Sequence, residues 1–305
     1  LLELPTDRPR PAVQTFRGAH EYLPLPLALT QSLRRLAQQN RVTPFMLLLA
    51  GFKTLLHRYC RQDDVLVGSP IAGRTQLETE PLIGFFINTL VLRTDFSDDP
   101  AFTELLERIR TTTLEGYAHQ EMPFDKLVEE LHPQRTSSYS PLVQAMFVLQ
   151  NSPVPSLRLG TATLEYINVD TSTSKFDMVL SMEETSGTLL ADMEYNADLF
   201  EAATIKRLLQ NFIVLLGGAV ANPRQRVSEL PLLTETEREL LASWNETDRD
   251  LPRETSIAEI FEQVAGSKPN ALAVIDGKAQ CTYGELNERA NRLAHYLRKL
   301  GVKTG

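Results

Sequence analysis

Ile83-Gly84-Phe85-Phe86-Ile87-Asn88-Thr89-Leu90-Val91-Leu92-Arg93 is the stretch from which the fold is read. From Phe86 to Arg93 both alternating faces are largely apolar, so the spacing predicts a strand interior to a sheet. A second strand, Leu142–Leu149, is expected in the same sheet. Period-two alternation sends Asn88 to the face opposite Arg93. A buried asparagine needs hydrogen-bond partners. Asn88 is therefore read either as a pin for a neighbouring loop or as a contact with a substrate channel. One glycine, without the Gly-Lys-Ser/Thr spacing, excludes a phosphate-binding loop here.

Helical signals lie on both sides. Thr43-Pro44 combines an N-cap hydroxyl with proline at the first helical position. Phe45, Leu48, Leu49, Phe52, Leu55, Leu56 and Tyr59 follow as one apolar face to about Cys60. Leu27–Gln39 has weaker helical spacing. Val65–Val67 reads as a short buried strand, and Gly68-Ser69-Pro70 with Gly73 as a loop. Downstream, Asp99-Pro100 opens a helix with the stripe Phe102, Leu105, Leu106, Ile109, Thr113, Leu114 and Tyr117. Pro123–Leu131 is a short helix. Leu164–Ile167, Met178–Met182 and Thr188–Tyr195 are strands, the last after a Ser186-Gly187 turn. Ile205 to Ala219 spell a long helix.

Composition divides the chain. Residues 1–11 are proline-rich and extended. Residues 1–222 are expected to form one compact α/β unit. Residues 223–255 turn polar and suit an interdomain linker that docks locally, with one helical patch at Glu235–Trp244. Residues 256–305 form a separate unit. In it Ala271–Ile275 and Lys278–Cys281 make a hairpin around Asp276-Gly277. Thr282-Tyr283-Gly284-Glu285 then boxes the start of a helix that Gly301 stops.

The formal charge of −8 argues against nucleic acid and anionic membranes as partners. No run is expected to span a bilayer; Phe45–Leu56 is too short and holds Lys53. Cys60 and Cys281 fall in different units, which argues against a structural disulfide and fits a reducing, cytoplasmic setting. Leu1–Pro11 does not read as a signal peptide. Leu1 is not a start methionine and Gly305 closes on a helix that should lead onward, so both ends read as cut.

Three segments in order carry a resemblance: Ile83–Arg93, His119–Leu131 with its Met-Pro-Phe-Asp centre, and Ser140-Pro141-Leu142-Val143-Gln144-Ala145-Met146-Phe147. They resemble the later motifs of the condensation domain of nonribosomal peptide synthetases. The resemblance continues through Ser174-Lys175-Phe176-Asp177, Glu194–Phe200 and Glu229-Leu230-Pro231-Leu232-Leu233-Thr234. Cys281–Asn287 resembles the opening motif of an adenylation domain. The third motif departs from the family pattern: Tyr139 stands where an arginine is usual, with Arg135 close enough to compensate.

The resemblance implies an α/β fold like chloramphenicol acetyltransferase, one lobe of a condensation domain, followed by the first hairpin and helix of an adenylation domain. It implies peptide-bond formation between thioesters carried on the phosphopantetheine arms of two carrier domains. The family's paired histidines, HHxxxDG, precede the region seen here. The five histidines present, His20, His57, His119, His132 and His295, include no adjacent pair. No catalytic residue is therefore assigned, and no cofactor is expected within this chain. ATP and magnesium belong to the complete adenylation domain, whose phosphate loop comes later.

Three residues remain as candidate channel or carrier contacts. Arg74 could meet a pantetheine phosphate or form a salt bridge. Asn88 has the two readings given above. His119 either ties a loop or lines the channel. Expected partners are carrier domains, a missing N-terminal lobe and the rest of the adenylation domain. Heterocyclisation and epimerisation variants share the fold, although epimerisation domains are not normally followed directly by adenylation. A non-catalytic platform for carrier domains is the alternative outside catalysis.

Overall fold

The computed structural model describes residues 1–133, 136–150, 158–159, 162–163, 169, 171–185, 187–247 and 255–303. The chain divides into two compact units, Leu1–Leu240 and Leu241–Gly305.

The first unit is a mixed sheet with helices. In chain order its elements are β1 (Gly18–Pro24), α1 (Leu27–Gln39), α2 (Pro44–Cys60), β2 (Asp64–Ile71), β3 (Asn88–Asp95), α3 (Phe102–Ala118), α4 (Phe124–Leu131) and β4 (Ala145–Gln150). A two-residue pairing of β5 (Arg158–Leu159) with β6 (Ala162–Thr163) follows. Then come β7 (Met178–Thr185), β8 (Thr188–Asn196), α5 (Ala202–Ala221) and α6 (Glu235–Trp244), within which the division falls. The six-stranded sheet runs β1-β8-β7-β4-β2-β3. Its strands are antiparallel except for β4, which is parallel to both neighbours. Helix α2 lies at the centre of the core: Met46 to Leu56 are all buried. Its start is held by Thr43 Oγ1, which accepts from Met46 N at 3.2 Å, and its end by Arg61 in the left-handed region.

Several expectations are corrected. The strand expected at 86–93 in the sheet interior is β3, which starts at Asn88 and lies at the sheet edge. Its apolar character has another cause. Leu90, Leu92 and Thr94 are buried on one face, and the Cβ-less surface of Gly116 on α3 meets Leu92 and Leu90. Ile83 and Phe85 belong to no strand and are almost wholly exposed, at 105% and 90%. The expected loop at Gly68-Ser69-Pro70 is strand: β2 pairs with β3 from Asp64↔Asp95 to Ile71↔Asn88. Gly68 is there because Met146 packs where its Cβ would be. Pro70 lies beyond the single β2–β4 pairing at Gly68↔Met146, where a missing N–H need not break an interior ladder.

Helix α5, at 20 residues, is long and apolar enough by composition to cross a membrane, contrary to the expectation that no run would be. Its stripe Ile205, Leu208, Leu209, Phe212, Leu215, Leu216 and Ala219 is buried in the core. The expected strand at 164–167 and part of the Ser186-Gly187 turn lie outside the described residues.

Residues 1–17 form a strap across the unit. Leu2 and Leu4 are buried in its core. Leu2 N donates to Gln144 Oε1 at 2.9 Å. Asp7 caps the start of α5 from far away in sequence: Oδ2 accepts from Glu201 N at 2.8 Å and Oδ1 from Thr204 Oγ1 at 2.9 Å. That carboxylate replaces the acidic residue that the first turn of α5 lacks. Arg8 Nη1 donates to Ala197 O at 2.7 Å, and Ser174 N donates to Phe16 O at 2.9 Å.

The composition-based linker starts at residue 223, but residues 223–240 belong to the first unit. Val227 and Leu230 are fully buried in its core, two apolar anchors in an otherwise polar run. Phe102 N donates to Gln225 O, and Val227 N to Pro100 O, both at 3.0 Å. Asp99, expected near a helix start, instead holds Ser228 through its backbone N and hydroxyl.

The second unit holds α7 (Ile257–Ser267), β9 (Leu272–Asp276), β10 (Ala279–Thr282) and α8 (Tyr283–Lys299). Helix α7 is additional to the expected hairpin and helix; it opens on a capping box between Ser256 and Glu259. Gly277 turns the hairpin at φ 59°, and the Thr282–Glu285 box starts α8. Phe261 of α7 packs on Tyr283 of α8 with ring centres 5.9 Å apart.

Candidate functional site

The site grows from the neck where β2 ends and β3 begins. Between Ile71 and Asn88, which pair directly, the chain makes the excursion 72–87. Gly73 has φ 64°, and a Cβ there would collide with Phe86 O, so the two limbs of the neck touch through a glycine. Arg74 lies over the Phe86 ring, 4.2 Å from guanidinium carbon to ring centre. Its Nη1 donates to Thr79 O and Glu80 O within the same excursion.

Asn88 reaches the turn between α3 and α4. Nδ2 donates to Gln120 O at 2.9 Å and Met122 O at 2.7 Å, while Oδ1 accepts from Phe124 N at 3.0 Å. Both amide hydrogens are in use, and the bond from Phe124 N satisfies a donor in the first turn of α4. The pinning reading of Asn88 is thus what its contacts describe, and its face opposite Arg93 follows from the pleat. Between neck and turn lies an open cleft of about 350 Å³, lined by Gly73, Thr75, Phe85, Phe86, Ile87, Asn88, Gln120, Glu121 and Pro123.

The structure brings Asn88 and, through Phe86, Arg74 to this cleft. His119 is the residue ending α3, just before the turn. Its N donates to Glu115 O and its O accepts from Met122 N at 3.1 Å, but its side chain is exposed and is not part of the cleft lining. Of the three candidates, His119 takes part through its backbone alone. The cleft offers apolar surface from Phe85, Phe86 and Ile87 beside polar side chains, of which Glu121 is the one carboxylate in the lining. Among the described residues no cluster of histidine, cysteine or carboxylate side chains could hold a metal ion.

Sequence reasoning missed a clamp between the strap and the Ser174–Asp177 segment, beside the third motif. Asp177 is buried, and Arg10 of the strap grips it with both guanidinium nitrogens, Nη1 at 2.8 Å from Oδ1 and Nη2 against Oδ2. The same guanidinium donates to Ser138 O at 3.2 Å and sits 5.8 Å from the Tyr139 ring centre. At Tyr139 the cation therefore comes from Arg10; Arg135 lies outside the described residues. The available signal was Asp177 itself, directly before the apolar run of β7, since a carboxylate buried there requires a partner.

Lys53 is a second missed group. It is wholly buried on α2, and its Nζ donates to Leu92 O at 2.7 Å and Thr94 Oγ1 at 2.8 Å of β3. Burial pulls its pKa down to about 7, opposed by the nearby Asp64 charge. Cys60, at the end of α2, is pushed up to about 12 by burial and then by Glu3, which makes it a poor nucleophile.

The geometry has relatives. Residues 1–242 match the condensation-domain family and residues 261–305 match the AMP-binding enzyme family. One of the linear gramicidin synthase proteins of Brevibacillus parabrevis is 50% identical over 305 residues, 99% of this chain but 6% of the relative. Chondramide synthase of Chondromyces crocatus is 43% identical over 99% of the chain and 8% of the relative. The chain thus spans a small part of the curated relatives it matches. Among solved structures, a four-domain nonribosomal peptide synthetase bound to AMP and glycine superposes over 100% of this chain and 24% of its own, with TM-score 0.82 at 23% identity. The X-domain from teicoplanin biosynthesis covers 76% of this chain and 53% of its own, with TM-score 0.68 at 27% identity. The chain belongs to the condensation-domain family of the nonribosomal peptide synthetases and continues into the start of an AMP-binding domain.

Proposed function

We propose that this chain is the C-terminal lobe of a peptide-bond-forming condensation domain, a connector over 223–255 whose first part, 223–240, is built into that lobe, and the opening of an amino-acid-activating adenylation domain. The observation that carries this is the unbroken run from a condensation-domain match over 1–242 into an AMP-binding match from 261. In this reading an upstream lobe holding the paired histidines packs against the first unit. The bare apolar excursion, with Leu77, Ile83 and Phe85 largely exposed, supports that cover. Two carrier domains deliver acyl groups on phosphopantetheine, in a cytoplasmic assembly, and ATP with magnesium serves the completed adenylation domain. The chain by itself neither condenses nor adenylates.

Arg74 is the phosphate candidate of this reading, and its existing bonds to Thr79 O and Glu80 O weigh against it. The test joins the upstream lobe covalently and follows condensation between two carrier-bound substrates. Condensation is expected only in the joined protein. Activity of the 305-residue chain alone that disappears in His119→Ala overturns the reading and makes His119 the base.

A second reading, a non-catalytic platform, has one observation in its favour: the teicoplanin X-domain, 26% identical, was solved in complex with OxyB. A joined protein that binds carriers without condensing them would select it.

A further inference from the structure

The end of the first unit is fastened more tightly than its polar composition suggests, and the fastening converges on one buried side chain. Arg58 Nη1 of α2 donates to Val227 O and Leu230 O, each at 3.0 Å. The Pro231 ring packs where a Cβ of Gly218 on α5 would stand, so that glycine admits the chain against the helix. Four residues on, α6 begins. Its capping box is complete: Glu237 Oε2 accepts from Thr234 N at 2.8 Å and Thr234 Oγ1 at 2.9 Å, and Glu237 N donates to Thr234 Oγ1 at 3.3 Å.

The same carboxylate oxygen faces Asn211 of α5, which is 2% exposed. The Asn211 amide satisfies all its neighbours in one orientation. Oδ1 accepts from Tyr59 Oη at 2.9 Å, and Nδ2 donates to Glu237 Oε2 at 2.9 Å and Leu232 O at 3.2 Å. One asparagine therefore joins α2, α5, the segment before α6 and the first turn of α6. A capping box alone is internal to its helix; this one is wired into the core.

We propose that the Tyr59–Asn211–Glu237 node is a latch that locks the first turn of α6 to the first unit, so that the connector becomes free to articulate only beyond Glu237 rather than from Pro223. This inference is independent of the activity proposed above. It places the start of the moving part of the connector inside α6, where the compact units also divide. Phenol, amide and carboxylate hold complementary roles: neutral donor, bridge and acceptor. Burial raises the Tyr59 pKa, which keeps the phenol in its donating form.

Hydrogen exchange on the 305-residue chain tests this, comparing peptides of α5 with peptides over 235–244. In wild type the first turn of α6 should exchange slowly. Asn211→Leu should speed exchange there by about 10–100-fold, the equivalent of losing hydrogen bonds to a charged group, with α5 still protected. Thr234→Ala, which trims the cap and leaves the node, should have the smaller effect. Should Asn211→Leu also expose α5, Glu237→Ala decides, because it leaves the core side chains in place; it too should free α6 alone. Fast exchange over 235–244 already in wild type overturns the latch. So does exchange there that is unchanged by Asn211→Leu, or by Glu237→Ala where that variant decides, or an effect of Thr234→Ala as large as that of Asn211→Leu.

Discussion

The two units of this chain follow the same local rules and end in different states. In the first, apolar stripes of helices and sheet meet, and residues such as Phe52, Phe102, Phe147 and Phe212 are fully buried. In the second, α7 and α8 have complete capping boxes and the hairpin has its glycine turn, yet Ala265 and Cys281 are the buried side chains among the described residues. Ile257, Leu293, Tyr296 and Leu300 stay exposed. Caps and turns are enough to delimit an element. They do not supply the buried area that holds a domain together, because short helices in water depend on packing of their apolar face. In the function proposed above, the rest of an adenylation domain covers that face.

The largest expected effect tests this contrast directly. Phe102→Ala or Phe212→Ala should destabilise the first unit by about 3–5 kcal/mol in urea unfolding. Tyr296→Ala in the second unit should fall within about 0.5 kcal/mol. Similar losses at both places would mean that the second unit has a core of its own.

Lys53 sharpens the contrast from inside the first unit. Its pKa falls from 10.5 to about 7 on folding. Between those values the unfolded chain binds the extra proton, so stability should rise with pH through this window, by up to about 5 kcal/mol. The burden of the buried charge is complete below about pH 7 and gone above the unfolded value. Lys53→Met should flatten this slope; an unchanged slope would show that other groups set it.

Smaller again is the neck. Asn88→Ala removes three hydrogen bonds and should cost the first unit about 1–3 kcal/mol, with faster amide exchange at Met122 and Phe124. A loss without that local signature would mean that Asn88 does not pin the turn. Ser256→Ala and Thr282→Ala should each weaken their own helix by about 1 kcal/mol, seen in exchange of α7 or α8, while first-unit unfolding stays put. Any shift of the first unit's unfolding midpoint would break the separation between the units.

What could be read from sequence was what is local. The bounds of α1 and α6 agree with the structure, and the Thr43 cap and the 276–277 turn are where spacing placed them. Both expected strands share one sheet. The position of β3 within that sheet was not legible, because an apolar strand does not reveal whether strands or helices cover it. Strand β1 escaped notice since Gly18–Pro24 is half-buried and polar, an edge strand with one partner, β8. At the site, Asn88 was legible because a lone amide in an apolar strand demands partners. Arg74 was not, because its acceptors are backbone carbonyls of its own excursion. Arg10 was hidden by distance: nothing near it in sequence announces Asp177.

The strap carries a consequence for the order of events in folding. Its bonds join residues far apart along the chain: 167 between Arg10 and Asp177, 189 between Arg8 and Ala197, 197 between Asp7 and Thr204. Closing such loops carries a large entropic penalty before any contact offsets it, so helices and hairpins nucleate first and the strap docks onto a nearly finished sheet. A late-forming contact has a φ-value near zero. Weakening the strap should then leave the refolding rate nearly untouched and quicken unfolding instead, so that residues 1–17 act as a brake on opening rather than as a guide to assembly.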